Sequence, residues 1–124
     1  MIAIAFAVIV ALIHSYIFYL ESLSWGKPRT NKLFGVSEAD ANTCQLMAFN
    51  QGFYNLFLAV GIVAGLSFRL LDRGVYGLAL TDFACMSVLG AGLVLFFSQP
   101  KLIRPAMIQA LPALGYLGFR FLGY

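Results

Sequence analysis

Residues 2–23 read IAIAFAVIVALIHSYIFYLESL, an almost unbroken run of apolar side chains. A helix needs about 20 such residues to cross a hydrocarbon core of about 30 Å, so this run predicts a membrane span. Three further apolar blocks follow, and they predict helices over about residues 41–66, 75–97 and 102–122. The blocks are continuously apolar and lack the alternation of membrane strands, so the prediction is helical throughout.

The composition places the chain in the membrane class. Of its 124 residues, 61% are hydrophobic and only 10% are charged, and the mean hydropathy is +0.87. Soluble domains carry about 25% charged residues. Because the connections are short, neighbouring helices are expected to be antiparallel. The predicted fold is therefore all-α: a polytopic membrane protein whose single domain, residues 1–124, is an up-down-up-down bundle of four transmembrane helices.

The distribution of cations predicts an orientation in the membrane. The connections between spans 1 and 2 and between spans 3 and 4 hold five basic residues, against three on the other side. The positive-inside rule then places both termini outside the cytoplasm. The first block has no basic segment before it and is expected to be a retained span. Anionic lipid headgroups account for the net charge of +3, without a nucleic-acid partner.

Polar side chains interrupt three of the predicted spans at similar depths. His14 and Glu21 are two turns apart on one face of span 1, about 20° from eclipsed. Four polar residues of span 2 occupy an arc of about 140°, and Gln109 of span 4 is expected at the same level. The predicted site comprises candidate catalytic residues His14, Glu21 and Tyr54 and candidate substrate-binding residues Asn50, Gln51, Asn55 and Gln109.

Several of these residues also have a purely structural interpretation. His14 is equally explained as a core residue that bonds to Tyr54 or Gln51, and Glu21 as the partner of Lys27. The amides of span 2 are also typical of hydrogen bonds between helices, worth about 0.6 kcal/mol each in membranes. Asp82 of span 3 is open to three interpretations: a second site, a protonated carboxyl group, or a partner for Arg69 or Arg73.

Small residues and cysteines complete the prediction. Gly61 and Gly65 form a small-xxx-small pair, which favours helix packing, and a homo-oligomer (dimer or trimer) is expected to use this pair or the glycine-rich face of span 3. Cys44 and Cys85 lack metal-ligand spacing and are expected to be packing residues. No metal site is predicted, and the cofactor stays unknown; a haem iron bound by His14 is a variant that only one residue supports.

A pattern of short strings extends along nearly the whole chain: Leu12-Ile13-His14, Tyr19-Leu20-Glu21, Trp25, Pro28-Arg29, Lys32-Leu33-Phe34-Gly35, Asn50-Gln51-Gly52, Tyr54-Asn55 and Gln109-Ala110-Leu111-Pro112-Ala113. In this pattern the chain resembles a bacterial family of small four-helix inner-membrane proteins of unknown function. The resemblance implies a plasma (inner) membrane location, the same topology and the same polar residues, but no activity.

More distantly, the run Ala48-Phe49-Asn50-Gln51-Gly52-Phe53-Tyr54-Asn55 of span 2 is similar in spacing to helix 2 of the membrane-associated eicosanoid and glutathione metabolism (MAPEG) superfamily. The likeness aligns Gln51, Tyr54 and Asn55 with the Asn, Glu and Asn of that motif. The motif's Glu-Arg pair falls on Thr43 and Cys44. The cationic glutathione contact is therefore absent, and the likeness implies architecture and lipophilic substrates rather than thiol conjugation.

Two classes of function follow. In the first, an intramembrane polar pocket binds or transforms a lipophilic small molecule, as in an isomerase or hydrolase, with His14 as the proton carrier. In the alternative, the chain is a small proton-coupled transporter or an assembly subunit without catalytic activity, and Asp82 completes a path across the bilayer. The sequence leaves open whether the protein is an enzyme.

Overall fold

The computed structural model describes residues 1–123 of the chain, and within them it contains six α-helices and no strand. A π-helical segment, Tyr19–Leu23, continues α1 directly, and a short 3-10 turn, Pro100–Leu102, precedes α6. The helices are α1 (Ile2–Phe18), α2 (Pro28–Phe34), α3 (Glu38–Thr43), α4 (Gln45–Leu70), α5 (Gly74–Ser98) and α6 (Ile103–Phe121).

Three helical segments in the described residues are long and apolar enough to cross a membrane: Ile2–Leu23, Gln45–Leu70 and Gly74–Ser98. The first segment coincides with its predicted span, and the third is one residue longer at each end than its predicted span. The second begins later than predicted, because Ser37 caps a separate short helix. Its Oγ accepts a hydrogen bond from the Asp40 backbone N–H at 3.1 Å, and the helical path is interrupted at Cys44.

The fourth predicted span coincides in position with α6, which has 19 residues but is not among the three apolar segments. The helix carries Arg104 and Arg120 near its ends, Gln109 in its first half and Pro112 in its interior. These residues lower its hydropathy relative to the other three long helices. That α6 crosses the membrane stays a prediction.

The four long helices pack side by side around a core rich in alanine, which also contains Ile62 and Tyr116. α1 packs against α4 and α6, and α5 packs against the same two helices. Ala7, Ala113 and Val88 are fully buried, whereas Leu12 and Phe83 are 65% exposed. Large apolar residues outside and small ones inside are typical of helices in lipid, where close backbone packing replaces the hydrophobic effect.

The crossing of α4 and α5 depends on two glycines. A Cβ atom on Gly65 would overlap Thr81 Oγ1, and one on Gly77 would overlap the backbone oxygen of Gly65. Both glycines are buried within one chain. Gly65 therefore serves helix packing, as the small-xxx-small interpretation predicts, because α5 of the same chain occupies the surface against it.

The connection between α1 and α4 folds into a compact cap on one end of the helices. The buried hydroxyls of Ser24 and Thr30 are 3.0 Å apart, and Trp25 Nε1 donates to the Ala41 carbonyl at 2.9 Å. α2 ends at Gly35, whose φ of 66° lies in the left-handed region that favours glycine. These contacts hold the basic residues of the connection close to the ends of the long helices.

Candidate functional site

Glu21 and Asn55 form a polar contact that joins the first span to α4. Asn55 Nδ2 donates to Glu21 Oε2 at 2.8 Å and to the Gln51 backbone oxygen at 3.0 Å. Asn55 is buried, and Glu21 is half-buried. Glu21 belongs to the π-helical segment, a geometry that is rare and frequent at functional sites. The structure thus brings together two of the predicted site residues.

Ser22 and Gly52 bring the π-helical segment and α4 into close contact. Ser22 Oγ donates to the Phe49 backbone oxygen at 2.9 Å. A Cβ atom on Gly52 would overlap Ser22 Oγ and lie 3.0 Å from the Ser22 backbone nitrogen. This close approach therefore requires a glycine at position 52. The Asn-Gln-Gly run thus contributes to helix packing as well as carrying polar side chains.

His14 lies in the interior of the packed helices, with 1% of its surface exposed. Its Nδ1 is 3.0 Å from the Val10 backbone oxygen, so Nδ1–H donates within its own helix. This bond differs from the expected contacts with Tyr54 or Gln51. Neither of the two clefts described below is lined by His14.

The remaining predicted site residues lie elsewhere. Asn50, Gln51 and Tyr54 are exposed on the outer face of α4, Tyr54 to 64%, and Gln109 is half-buried on α6. The polar residues of α4 spread over a wide arc of the helix. Asn55, at one edge of that arc, faces the interior, and the other polar residues face outward. The predicted layer is thus divided between the inside and the outside of the helices.

A cleft of about 370 Å³ opens beside the π-helical segment, where the cap meets α1. We call it the Tyr16 cleft. It combines an aromatic and aliphatic wall with hydroxyl groups and two cations. Its lining residues are Tyr16, Tyr19, Leu20, Ser24, Lys27, Arg29, Thr30 and Leu33.

The Tyr16 cleft is not part of the site predicted from the sequence. The predicted site consists of polar groups deep in the spans, whereas the Tyr16 cleft lies at the end of one. The available signal was the pair Tyr16 and Tyr19, whose rings stack with centroids 6.2 Å apart. Their i, i+3 spacing places both rings on one helix face, but only the fold of the connection brings Ser24 and Thr30 near that face.

A second polar cluster joins α5 and α6. Tyr116 Oη donates to Asp82 Oδ1 at 2.5 Å, and Arg120 Nη2 lies 3.7 Å from Asp82 Oδ2. Tyr116 is fully buried. Asp82 therefore pairs with residues of α6, and the suggestion that Arg69 or Arg73 is its partner is wrong.

Metal ligands do not cluster in residues 1–123: no three His, Cys, Asp or Glu side chains there are placed to share an ion. Cys44 is exposed and Cys85 is buried, and both are free thiols. The groups that the Tyr16 cleft presents are hydroxyls, aromatic rings and cations.

The three apolar segments and the buried polar pairs define a small all-α protein of the membrane class. The chain belongs to the family described as protein of unknown function DUF1304, whose family model matches residues 8–120. This confirms the resemblance to a family of unknown function. Neither the curated proteins nor the solved structures include a significant match to the chain.

Proposed function

We propose that this protein is an integral membrane protein that binds an amphipathic small molecule in the Tyr16 cleft. The observation that carries the proposal is the composition of that cleft, which has an aromatic and aliphatic wall and a polar rim with two cations. Ligand sites typically combine a mostly apolar lining with a few placed polar groups. A volume of about 370 Å³ lies within the range of small-molecule pockets.

The two halves of the cleft match the two halves of an amphiphile. Tyr16, Tyr19 and Leu20 offer flat and branched apolar surfaces to a ring or an acyl chain. Lys27 and Arg29 attract a carboxylate, sulfate or phosphate group at the rim. The Glu21–Asn55 pair lies on the same π-helical segment as Tyr19 and Leu20, and we assign it the role of holding that segment in place.

A catalytic version of this function would use His14, Glu21 and Tyr54 to transform the bound molecule by isomerisation or hydrolysis. It has less support than binding, because His14 is buried and Tyr54 faces outward. The amides Asn50, Gln51 and Gln109 likewise lie outside the lining of the cleft. We therefore propose binding, and we assign no reaction.

The test is native mass spectrometry of the detergent-extracted protein. We expect the wild type to retain a bound amphiphile. The double variant Tyr16→Leu/Lys27→Gln is expected to lose it, since one change removes ring surface and the other removes a cation. Tyr76→Leu/Arg73→Gln is the matched control, because both residues are exposed and lie outside the cleft. Equal retention in both double variants, or no retained molecule in the wild type, would contradict the proposal.

We propose further that the outer face of α4 is covered by a second copy of the chain, as a dimer or trimer. Asn50, Gln51 and Tyr54 are exposed there, and polar groups at membrane depth normally face protein rather than lipid. In a Cys44→Ser background, oxidation should cross-link Gln51→Cys between copies more than the control Phe83→Cys. Equal cross-linking at both positions would argue against this surface.

We also propose that the basic end of the protein faces the cytoplasm of a plasma (inner) membrane. Lys27 and Arg29 line one cleft and Lys32, Lys101 and Arg104 line the adjoining one, which supports a common side for both connections. The positive-inside rule then places both termini outside. Alkaline phosphatase fused to the C-terminus should be active, and green fluorescent protein fused there should be dark; the opposite pattern would reverse the orientation.

The Asp82 cluster favours one alternative, a small proton-coupled transporter. A carboxylate with a tyrosine and an arginine inside membrane helices is typical of ion pathways. In liposomes, the alternative predicts a proton flux that Asp82→Asn abolishes. A flux unaffected by that change, or none at all, would exclude this role for Asp82.

A further inference from the structure

We propose that a second cleft, separate from the Tyr16 cleft in most of its lining, binds the phosphate headgroup of an anionic phospholipid. The cleft has a volume of about 480 Å³ and lies where α2 meets the beginning of α6. We call it the Arg104 cleft. Four of its lining residues are cations: Arg29, Lys32, Lys101 and Arg104.

The charge of the Arg104 cleft is uncompensated. Its cations come from two distant parts of the chain, and its lining in the described residues includes no carboxylate. The one ion pair between described residues joins Arg120 and Asp82, on other surfaces. Four like charges around one cleft repel each other, and a bound anion relieves that repulsion. The first turn of α6, whose helix dipole adds positive potential, contributes Arg104 and Pro105.

The rest of the lining selects a lipid over a free anion. Leu33, Leu102, Pro105 and Ile108 form an apolar wall, and Leu33 and Ile108 are 49% and 59% exposed. Inorganic phosphate would satisfy the cations and leave this wall uncovered. A phospholipid places its phosphate among the cations and its acyl chains against the wall, so it matches both halves of the cleft.

The position of the cleft agrees with such a ligand. The cleft lies at the end of the long helices where the connecting segments carry most of the basic residues. Basic pockets at membrane-helix ends bind phospholipid headgroups, and each nearby Lys or Arg strengthens binding about fivefold. A lipid with two phosphates, such as cardiolipin, would meet more of the four cations than a lipid with one.

The experiment compares lipid retention by native mass spectrometry after adding cardiolipin or phosphatidylcholine to the delipidated protein in detergent. The wild type should retain cardiolipin in preference to phosphatidylcholine. Lys101→Gln/Arg104→Gln should weaken cardiolipin retention about 30-fold, because two cations are removed. The matched control Arg73→Gln, an exposed cation outside the cleft, should retain it as the wild type does. Lys32→Gln provides an independent single variant with an expected loss of about fivefold.

A separate arm distinguishes the two sources of phosphate. Inorganic phosphate added to the wild type should leave cardiolipin retention unchanged; displacement at stoichiometric phosphate would show a free-anion site and overturn the lipid assignment. Retention unchanged in both Lys101→Gln/Arg104→Gln and Lys32→Gln would overturn the site itself. None of these variants alters a residue that lines the Tyr16 cleft, so failure here is separable from failure of the proposed function.

Discussion

The crossing of α4 and α5 makes the sharpest prediction about stability. Gly77→Ala places a Cβ atom onto the Gly65 backbone oxygen, and that Cβ would also lie 2.9 Å from the Arg69 backbone nitrogen. Both obstacles belong to the backbone of α4, so no side-chain rotation relieves them and the two helices must move apart. Overpacking of this kind costs about 1–3 kcal/mol. We expect the upper part of that range.

A second glycine in the same helix isolates this cost. Gly90 has no atom within 4 Å of a built Cβ, so Gly90→Ala should only gain helix propensity, about 1 kcal/mol. Gly77 is the fourth residue of α5 and gains at most the same propensity, so up to about 1 kcal/mol of the difference between the two variants comes from propensity and the rest reports the overlap. Unfolding by dodecyl sulfate titration in mixed micelles, followed by circular dichroism, measures it. If Gly77→Ala is as stable as Gly90→Ala, the close crossing of α4 and α5 is refuted.

Two further predictions concern single side chains. Tyr116→Phe removes the hydrogen bond to Asp82 and should lower the unfolding free energy in the same titration by about 0.6–1.7 kcal/mol. The control Tyr76→Phe, at a residue 70% exposed, should leave the unfolding free energy unchanged. Equal stability of the two variants would mean that the buried bond contributes nothing. N-ethylmaleimide should modify one thiol of the folded protein, that of the exposed Cys44, and should reach the buried Cys85 only after unfolding. Two adducts formed at similar rates on the folded protein would contradict the packing around Cys85.

The apolar segments were readable from sequence because each is long and bounded by charged or turn-forming residues. The first prediction, residues 2–23, coincides with Ile2–Leu23. The second was displaced because hydropathy does not register the Ser37 cap or the break at Cys44. Those two features insert a short helix where the sequence reads as the beginning of a span.

The polar residues were recognised individually, but their partners were not. Periodicity grouped Asn55 with its neighbours on α4, yet only Asn55 faces inward, toward Glu21. The rotation of a helix about its axis is decided by what packs against it. Here the Ser22–Gly52 contact brings that face of α4 against the first span.

Length, hydropathy and charge placement already indicate a helical protein of the membrane class, because they are properties of local segments. The pairing of Asp82 with Tyr116 and Arg120, and the cleft that distant cations line together, follow only from the packing of the helices. Such contacts join residues far apart in the chain, and no local pattern encodes them. In a bundle of small-residue interfaces, helix rotation and crossing geometry depend on close contacts between backbones, and only the folded chain defines those contacts.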